Sequence, residues 1–367
     1  MRITEQLSIF AALFLFTANA FADIGFSGSA YNETSLINND GTVKYGNRSS
    51  LHLKAESLTQ GVKLVSELEF YTMYGYLSSE SSEISKLMKD GQFYVDRLYM
   101  RIPVHKIDII IGKQRIAWGS SFIFRPTDNF NKPNPLSLSG RKEGVNALLA
   151  KAFTGGLSSV EFVLAPPDAF EQIGGTLKYG KLGMRLSTNY LKTDTSVSYQ
   201  YNGYKKSHML GLDIKGDLKL GYHIETAYTY IIDDSIDNYI QSVLGLDYSF
   251  LGKFILLGEY LYNGHGLKSE GKLPADNFSL LDDFGYRHYL YSRITYQPDI
   301  FIGANIFTLW NMIDRSLIIS PGIIYSFFQN TELQIYSQIF LGGNTDEYSS
   351  KRLGADQIYY LKLIVRF

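Results

Sequence analysis

Strict alternation of apolar and polar residues limits what this chain can become more than any other feature. Residues 331–340 read T-E-L-Q-I-Y-S-Q-I-F, with Leu333, Ile335 and Ile339 on one face and Glu332, Gln334, Tyr336 and Gln338 on the other. Residues 220–230 set Leu220, Tyr222, Ile224, Tyr228 and Tyr230 against His223, Glu225, Ala227 and Thr229. The pattern recurs at 62–71, where Leu64, Leu68 and Phe70 oppose Lys63, Glu67 and Glu69, and at 182–190, where Leu182, Met184 and Leu186 oppose Arg185 and Ser187. A period of two with one apolar face is the signature of a strand whose two faces meet different media.

The connections alternate as well. Short turns are expected at 57–60, 103–105, 154–156, 179–181, 215–217, 250–253, 297–299 and 328–330. Longer polar stretches are expected at 73–90, 119–141, 193–204, 263–285 and 341–355. Short on one side and long on the other is the pattern of an all-β, antiparallel up-and-down transmembrane barrel, with short periplasmic turns and long extracellular loops. Counting from Asp23 gives about 18 strands, an even number as this class requires, with both termini on the short-turn side.

The N-terminus reads as a secretory signal over residues 1–22. Arg2 precedes an apolar run from Leu7 to Phe16, and Ala20-Phe21-Ala22 is a small-x-small cleavage site, with Ala18-Asn19-Ala20 as its competitor. Residues 23–367 then form one barrel domain. No later window reaches the roughly 18 to 20 apolar residues of a spanning helix, and mean hydropathy is −0.08. With no cysteine there is no disulfide, thiolate metal site or cysteine-linked lipid anchor. The chain has 28 Tyr and 23 Phe against 2 Trp, and tyrosine suits the boundary of oil and water. A net charge of −1 supplies no field to recruit nucleic acid.

Hydrocarbon offers backbone groups no partner, so a sheet within it must close on itself. Many alternating runs reach ten residues, the length that crosses a membrane at a tilt. The expected location is the outer membrane of a Gram-negative-type bacterium, with the apolar faces against lipid. The last residues, YYLKLIVRF, alternate to the end and finish on Phe367. That strand resembles the segment the barrel-assembly machinery recognises, which implies this machinery as a partner.

The inward faces carry charge. By alternation Lys63, Arg97, Arg101, Arg185, Arg287, Arg293 and Lys362 point inward, as do Glu67, Glu69, Asp213, Glu225, Asp247 and Glu332. Lys or Arg facing lipid at the midplane costs about 2 to 4 kcal/mol, whereas in a wet lumen it costs little. About 18 strands leave room for an aqueous channel. Both signs occur, so alternation gives no ion preference.

One stretch departs from the strand pattern: "GKQRIAWGSSFIFRPTDNF", residues 112–130. It starts as a strand and continues into a loop over 119–141 that contains Pro126, Pro133 and Pro135. Proline removes a ladder donor, so the segment leaves the wall. Phe122, Phe124, Phe130, Leu136 and Leu138 make it too apolar to stand in water, and the inner wall is the nearest surface for it. An inward-folded loop would set Arg125 and Asp128 opposite Arg115 and Arg141 across a constriction, and closely placed charge in a narrow pore sorts solutes.

With the following residues this stretch resembles the G-[KR]-Q-x-x-x-W-G and P-x-D-x-F-N pattern of porin-like outer-membrane barrels, similar to the alginate-export group. The resemblance covers some 25 residues and implies a barrel of 18 strands. Gln114, Trp118, Pro126, Asp128 and Asn131 match its motif positions. The mixed interior charge departs from the arginine excess of alginate exporters, so the resemblance implies no substrate.

Catalytic patterns are missing: neither G-x-S-x-G, nor G-x-x-x-x-G-K-[ST], nor H-E-x-x-H occurs. The six histidines lack metal-ligand spacing, and Asp346 and Glu347 lack calcium-loop spacing. No cofactor or metal is expected. The sequence therefore points to a channel for passive diffusion of small hydrophilic solutes. Two alternatives stand beside it. One is a barrel enzyme with a rim site among Asp233, Asp234, Asp282, Asp283 and His288. The other is a closed barrel serving as adhesin or scaffold.

Overall fold

The computed structural model describes residues 24–76, 93–131, 144–167, 179–232, 237–270 and 284–367. The expected signal at 1–22 lies outside the described residues. The first nine strands are β1 (Ile24–Asn39), β2 (Thr42–Thr59), β3 (Val62–Gly75), β4 (Phe93–Val104), β5 (Ile107–Gln114), β6 (Val145–Gly155), β7 (Ser158–Ala165), β8 (Lys181–Tyr190) and β9 (Thr193–Asn202). The next nine are β10 (Ser207–Asp217), β11 (Gly221–Ile231), β12 (Tyr239–Phe250), β13 (Phe254–Asn263), β14 (His288–Tyr296), β15 (Ile302–Asn311), β16 (Leu317–Phe328), β17 (Thr331–Leu341) and β18 (Gln357–Arg366). A one-turn helix, α1 (Ser350–Leu353), sits in the connection before β18.

Each strand pairs antiparallel with the next, and β18 pairs with β1, so the 18-stranded sheet closes. The last residue completes the seam. Gly28 N–H donates to the Phe367 carbonyl at 2.8 Å, and Phe367 N–H donates back at 3.0 Å. Closure leaves no row of unpaired backbone groups for lipid to meet.

Alternation sorts the two faces. On β11 Ile224, Tyr228 and Tyr230 are exposed on the outer wall, while His223, Glu225, Ala227 and Thr229 are buried on the inner one. On β8 Leu182, Met184 and Leu186 are exposed, with Arg185 on the opposite face. Between β1 and β2 the outer wall carries a polar patch. Asn32 Nδ2 donates to Asn47 Oδ1 at 3.2 Å and to Ser49 Oγ at 2.8 Å, and Asn47 Nδ2 donates to Thr34 Oγ1 at 3.1 Å. Side chains that satisfy one another can face hydrocarbon without an orphaned donor.

Eight short turns lie on one side and nine connections on the other, and both termini are on the short-turn side. The hairpin between β1 and β2 turns through Asp40 and Gly41 at φ 48° and 75°. A type I′ turn requires both residues left-handed, hence Asp-Gly. Leu191 and Lys192 adopt the same geometry between β8 and β9, at φ 51° and 63°, with no turn residue to announce it. Two sequence expectations fail here. The polar stretch at 193–204 is largely strand β9, and 179–181 lies on the loop side. The cause is composition: β9 turns Ser196, Gln200 and Asn202 inward and only Val197, Tyr199 and Tyr201 outward, so its hydroxyls and amides read as loop.

Candidate functional site

The site is built on residues 112–131. Gln114 ends β5 and ties it to its neighbours, its Nε2 donating to the Ile110 carbonyl at 3.1 Å and the Ala147 carbonyl at 3.0 Å. The chain then leaves the wall and runs along the interior faces of the following strands. Ile116, Trp118 and Phe130 pack on Ala147 and Leu149 of β6 and Val163 and Ala165 of β7. Trp118 meets Phe130 edge-on at 5.2 Å, and its Nε1 donates to Glu161 Oε2 at 3.0 Å. Lys151 Nζ holds the other oxygen of Glu161 at 2.7 Å.

Two buried glutamates then collect backbone donors. Glu225 Oε2 accepts the N–H groups of Ser120 and Ser121, each at 3.1 Å. Its Oε1 accepts Thr127 N–H at 2.8 Å and the Thr127 hydroxyl at 2.7 Å. Glu259 Oε2 accepts Ile123 N–H at 2.9 Å and Phe124 N–H at 3.4 Å, while its Oε1 takes Phe122 N–H. His223 Nε2 lies 2.7 Å from that same Oε1. The Ser120 hydroxyl donates to Asp213. Successive N–H groups around a carboxylate form charge-assisted bonds that need no buried cation.

The anchors give the segment its path. It touches β7 at Trp118, β10 and β11 at Ser120, and β13 at Phe122 to Phe124. It returns to β11 and β9 at Thr127, whose carbonyl accepts Gln200 Nε2 at 2.7 Å. Lys181 Nζ donates to the Asn129 carbonyl at 2.8 Å, and Ile116 N–H donates to Asn131 Oδ1 at 2.7 Å to close the base. Gly119 permits the first bend. Its φ is +85°, and a Cβ there would lie 2.5 Å from Glu225 Oε1. Only glycine combines that conformation with that approach.

The expected site residues separate in this geometry. Trp118, Gln114, Asn131 and Pro126 are buried parts of the loop's own structure. Arg115 is exposed, and Arg125 is half-buried with its Nε on the Ser121 carbonyl at 2.7 Å. Asp128 departs from expectation. It is fully buried, and its Oδ1 takes Asn131 N–H at 2.8 Å, so it shapes a turn and presents no charge to a solute. Arg141 lies outside the described residues, as do Pro133 and Pro135.

The inner-wall charges also depart from a simple lining, because many are paired. Arg97 meets Glu67 at 3.4 Å, Arg48 meets Glu69 at 3.3 Å, and Arg185 meets Asp213 at 3.3 Å. Lys63 meets Glu56 at 3.1 Å, Arg366 meets Glu332 at 3.2 Å, and Arg101 pairs with Asp108. Glu69 and Glu225 are fully buried and reach no solvent. Arg293 is exposed on the same face as buried Tyr291. Arg287 fails its inward expectation, since its guanidinium lies over the ring of Tyr262, 5.8 Å from the centroid, and Tyr262 faces outward with Tyr260. Arg287 precedes the first residue of β14, where the wall no longer constrains a long side chain to one face.

His52, Glu67 and Asp96 offer three ligand atoms within 4.8 Å of one another. Arg97 enters the same group and Tyr94 donates to Asp96 at 3.0 Å. The guanidinium takes the place a cation would fill, so the group reads as an ion-pair cluster.

A second connection is anchored in the same manner. Glu347, between β17 and β18, is fully buried and accepts Gly285 N–H at 3.0 Å, the Tyr289 hydroxyl at 2.7 Å and Asn311 Nδ2 at 2.7 Å. Its own N–H donates to Asp314 at 2.7 Å. Burial lifts its carboxyl from the ordinary 4.5 to about 7, against the donors that favour the anion. Asp346 accepts Gly343 N–H and shapes the loop.

Sequence reasoning did not single out Glu161, Glu259 or His223 as anchors. The signal was faint: acids isolated among apolar residues, as in V-E-F at 160–162 and G-E-Y at 258–260. His288, the rim-site histidine, is on the outer wall with its Nδ1 2.7 Å from the Tyr260 hydroxyl. The rim carboxylates Asp233, Asp234, Asp282 and Asp283 lie outside the described residues.

The architecture can be set beside solved structures. The chain is similar to Acinetobacter baumannii OccAB4, with a TM-score of 0.62 at 10% identity over 95% of this chain and 99% of that one. It is similar to Pseudomonas aeruginosa OccK9 (OpdG), with a TM-score of 0.64 at 9% identity over 94% and 98%. The outer membrane protein OprD from Pseudomonas aeruginosa aligns with a TM-score of 0.58 at 11% identity over 93% of each chain. No protein-family model and no curated protein matches the sequence. The alginate-export part of the motif's resemblance finds no support in these neighbours; the porin-like part does. The chain therefore has the closed 18-strand antiparallel fold of the OprD/Occ outer-membrane barrels.

Proposed function

We propose that the chain is an outer-membrane porin-like channel through which small hydrophilic solutes diffuse passively. One observation carries this reading: a closed wall of 18 strands is apolar outside and charged inside, which suits lipid on one face and water on the other. The fold likeness to outer-membrane barrels such as OprD supports the same location and class. Signal cleavage after residue 22 and recognition of the Phe367 strand by the assembly machinery belong to this reading. So does the loop as filter: with Asp128 enclosed, Arg115 and Arg125 are, among the described residues, the groups of the expected constriction left to meet a solute. No catalytic role is assigned. His288 of the rim-site reading faces outward at the loop end of β14 beside Tyr260 and Tyr262.

The test is single-channel recording of the folded barrel in a planar bilayer. Defined conductance steps are expected, and silence at all voltages would favour the closed scaffold. Arg125→Ala should shift the reversal potential toward cation selectivity, because a cation has left the opening. Asp128→Asn should leave selectivity nearly unchanged, because the group it replaces is enclosed. If Asp128→Asn moved selectivity as far as Arg125→Ala, the assignment of the filter would be wrong.

A further inference from the structure

We propose that the outer wall binds the phosphate groups of an anionic outer-leaflet glycolipid at two places, the loop ends of β9–β11 and β13–β14. The proposal rests on the outer-membrane reading above. Its observation is a repeated arrangement that the channel does not use. His208 is the second residue of β10 and faces outward with exposed Leu210 and Leu212. It stands opposite Tyr201 and Tyr230, ring to ring at 5.1 and 6.2 Å. Its Nδ1 is 2.8 Å from the hydroxyl of Tyr199, two residues deeper on β9.

The arrangement recurs four strands away. His288 is the first residue of β14 and stands opposite Tyr262 at 5.6 Å. Its Nδ1 is 2.7 Å from the hydroxyl of Tyr260, again two residues deeper. In both places the phenol occupies Nδ1, so Nε2 is the nitrogen left to meet a ligand.

Basic residues precede both histidines on the loop side. Lys205 and Lys206 are exposed in the connection that leads directly into His208. Arg287 precedes His288 and lies over the Tyr262 ring. Below the dyads the wall is apolar, with Leu210 and Leu212 on β10 and Ile294 on β14. Amphipathic rings settle at the headgroup level, and basic groups there attract anionic lipid. A ligand that fits carries phosphate at the level of the imidazoles and acyl chains along the leucines below. A free phosphate would use only the upper half.

The test is native mass spectrometry of the full-length folded barrel in detergent, titrated with bisphosphorylated lipid A. The comparators are the same lipid without phosphates and inorganic phosphate alone. The wild type should retain the phosphorylated lipid at about tenfold lower concentration than the dephosphorylated one. The variants Lys205→Ala/Lys206→Ala/His208→Ala and Arg287→Ala/His288→Ala should each weaken that retention about fivefold or more. Tyr199→Phe and Tyr260→Phe, which keep the rings and free the imidazoles, should weaken it by a smaller factor. Heat-modifiable gel mobility checks folding of every variant. Equal retention of the two lipids by the wild type, or undiminished retention by both multiple variants, overturns the proposal. Displacement of the lipid by inorganic phosphate also overturns it, in favour of a free-phosphate site. Conductance should be the same in all variants. A silent wild-type barrel that still prefers the phosphorylated lipid would remove the channel reading and leave this one standing.

Discussion

Glu225 illustrates how much one interior carboxylate can fix. Its two oxygens receive three backbone N–H groups and one hydroxyl from two separate parts of the same segment. Glu225→Ala would orphan those donors, and each buried unsatisfied group costs about 1 to 3 kcal/mol. The segment 115–131 should then detach locally while the wall stays closed. Chymotrypsin cleavage after Phe124, which is buried while the segment is docked, should accelerate about tenfold or more, with heat-modifiable mobility retained. Equal cleavage rates in variant and wild type would show that Glu225 is not the anchor. The motif residues were legible in the sequence because tryptophan and proline are rare and conspicuous in a barrel. Glu225 was legible only as an inward charge, and Glu259 was not marked at all. What Glu225 holds depends on a segment 98 to 105 residues distant, which alternation does not see.

At the scale of elements, the two anchored connections share a principle. Each folds back onto the barrel and places its backbone donors, or its own acid, where a buried carboxylate meets them. For the connection at 342–356 this makes a pH prediction. The Glu347 carboxyl is raised from 4.5 to about 7 in the folded state, so the docked loop binds its proton more tightly than a released one. Docking is therefore favoured as pH falls from 7 toward 4.5, and it loses stability as pH rises through 7. At about 1.4 kcal/mol per pH unit the full difference is about 3 kcal/mol. Asp314, Tyr289 and Tyr348 surround the carboxyl, and Asp314 adds to the lift. Amide exchange across 342–356, corrected for intrinsic rates, should show about tenfold more protection at pH 6 than at pH 8. Protection that rose with pH would contradict the enclosed, proton-holding carboxyl. The sequence offered Asp346 and Glu347 only as loop acids, because the enclosure of Glu347 is made by Gly285, Tyr289, Asn311 and Asp314, all distant in sequence.

For the whole molecule, closure is the decisive event, and it joins the two ends of the chain. Phe367 exchanges both backbone bonds with Gly28, and a Cβ on Gly28 would meet both the His52 carbonyl oxygen of β2 at 2.6 Å and the Phe367 ring at 2.8 Å. Gly28→Val should therefore displace the terminal ring and lower the yield of heat-modifiable barrel in refolding, whereas Gly25→Val, with a Cβ no nearer than 3.8 Å to its neighbours, should refold nearly as well as wild type. Equal yields would show that the terminal contact does not govern closure. By itself the sequence determined the strand class, the even count of about 18 strands, the face that most strand side chains take and the departure of the chain from the wall after β5. Those follow from local rules: side chains alternate, proline cannot donate, and hydrocarbon forbids open edges. Only the tertiary structure decided where β8 turns into β9, which interior charges are paired, and that Asp128 is enclosed while Arg125 is not. Those depend on what strands far apart in sequence bring to the same place, and no period within one strand carries that information.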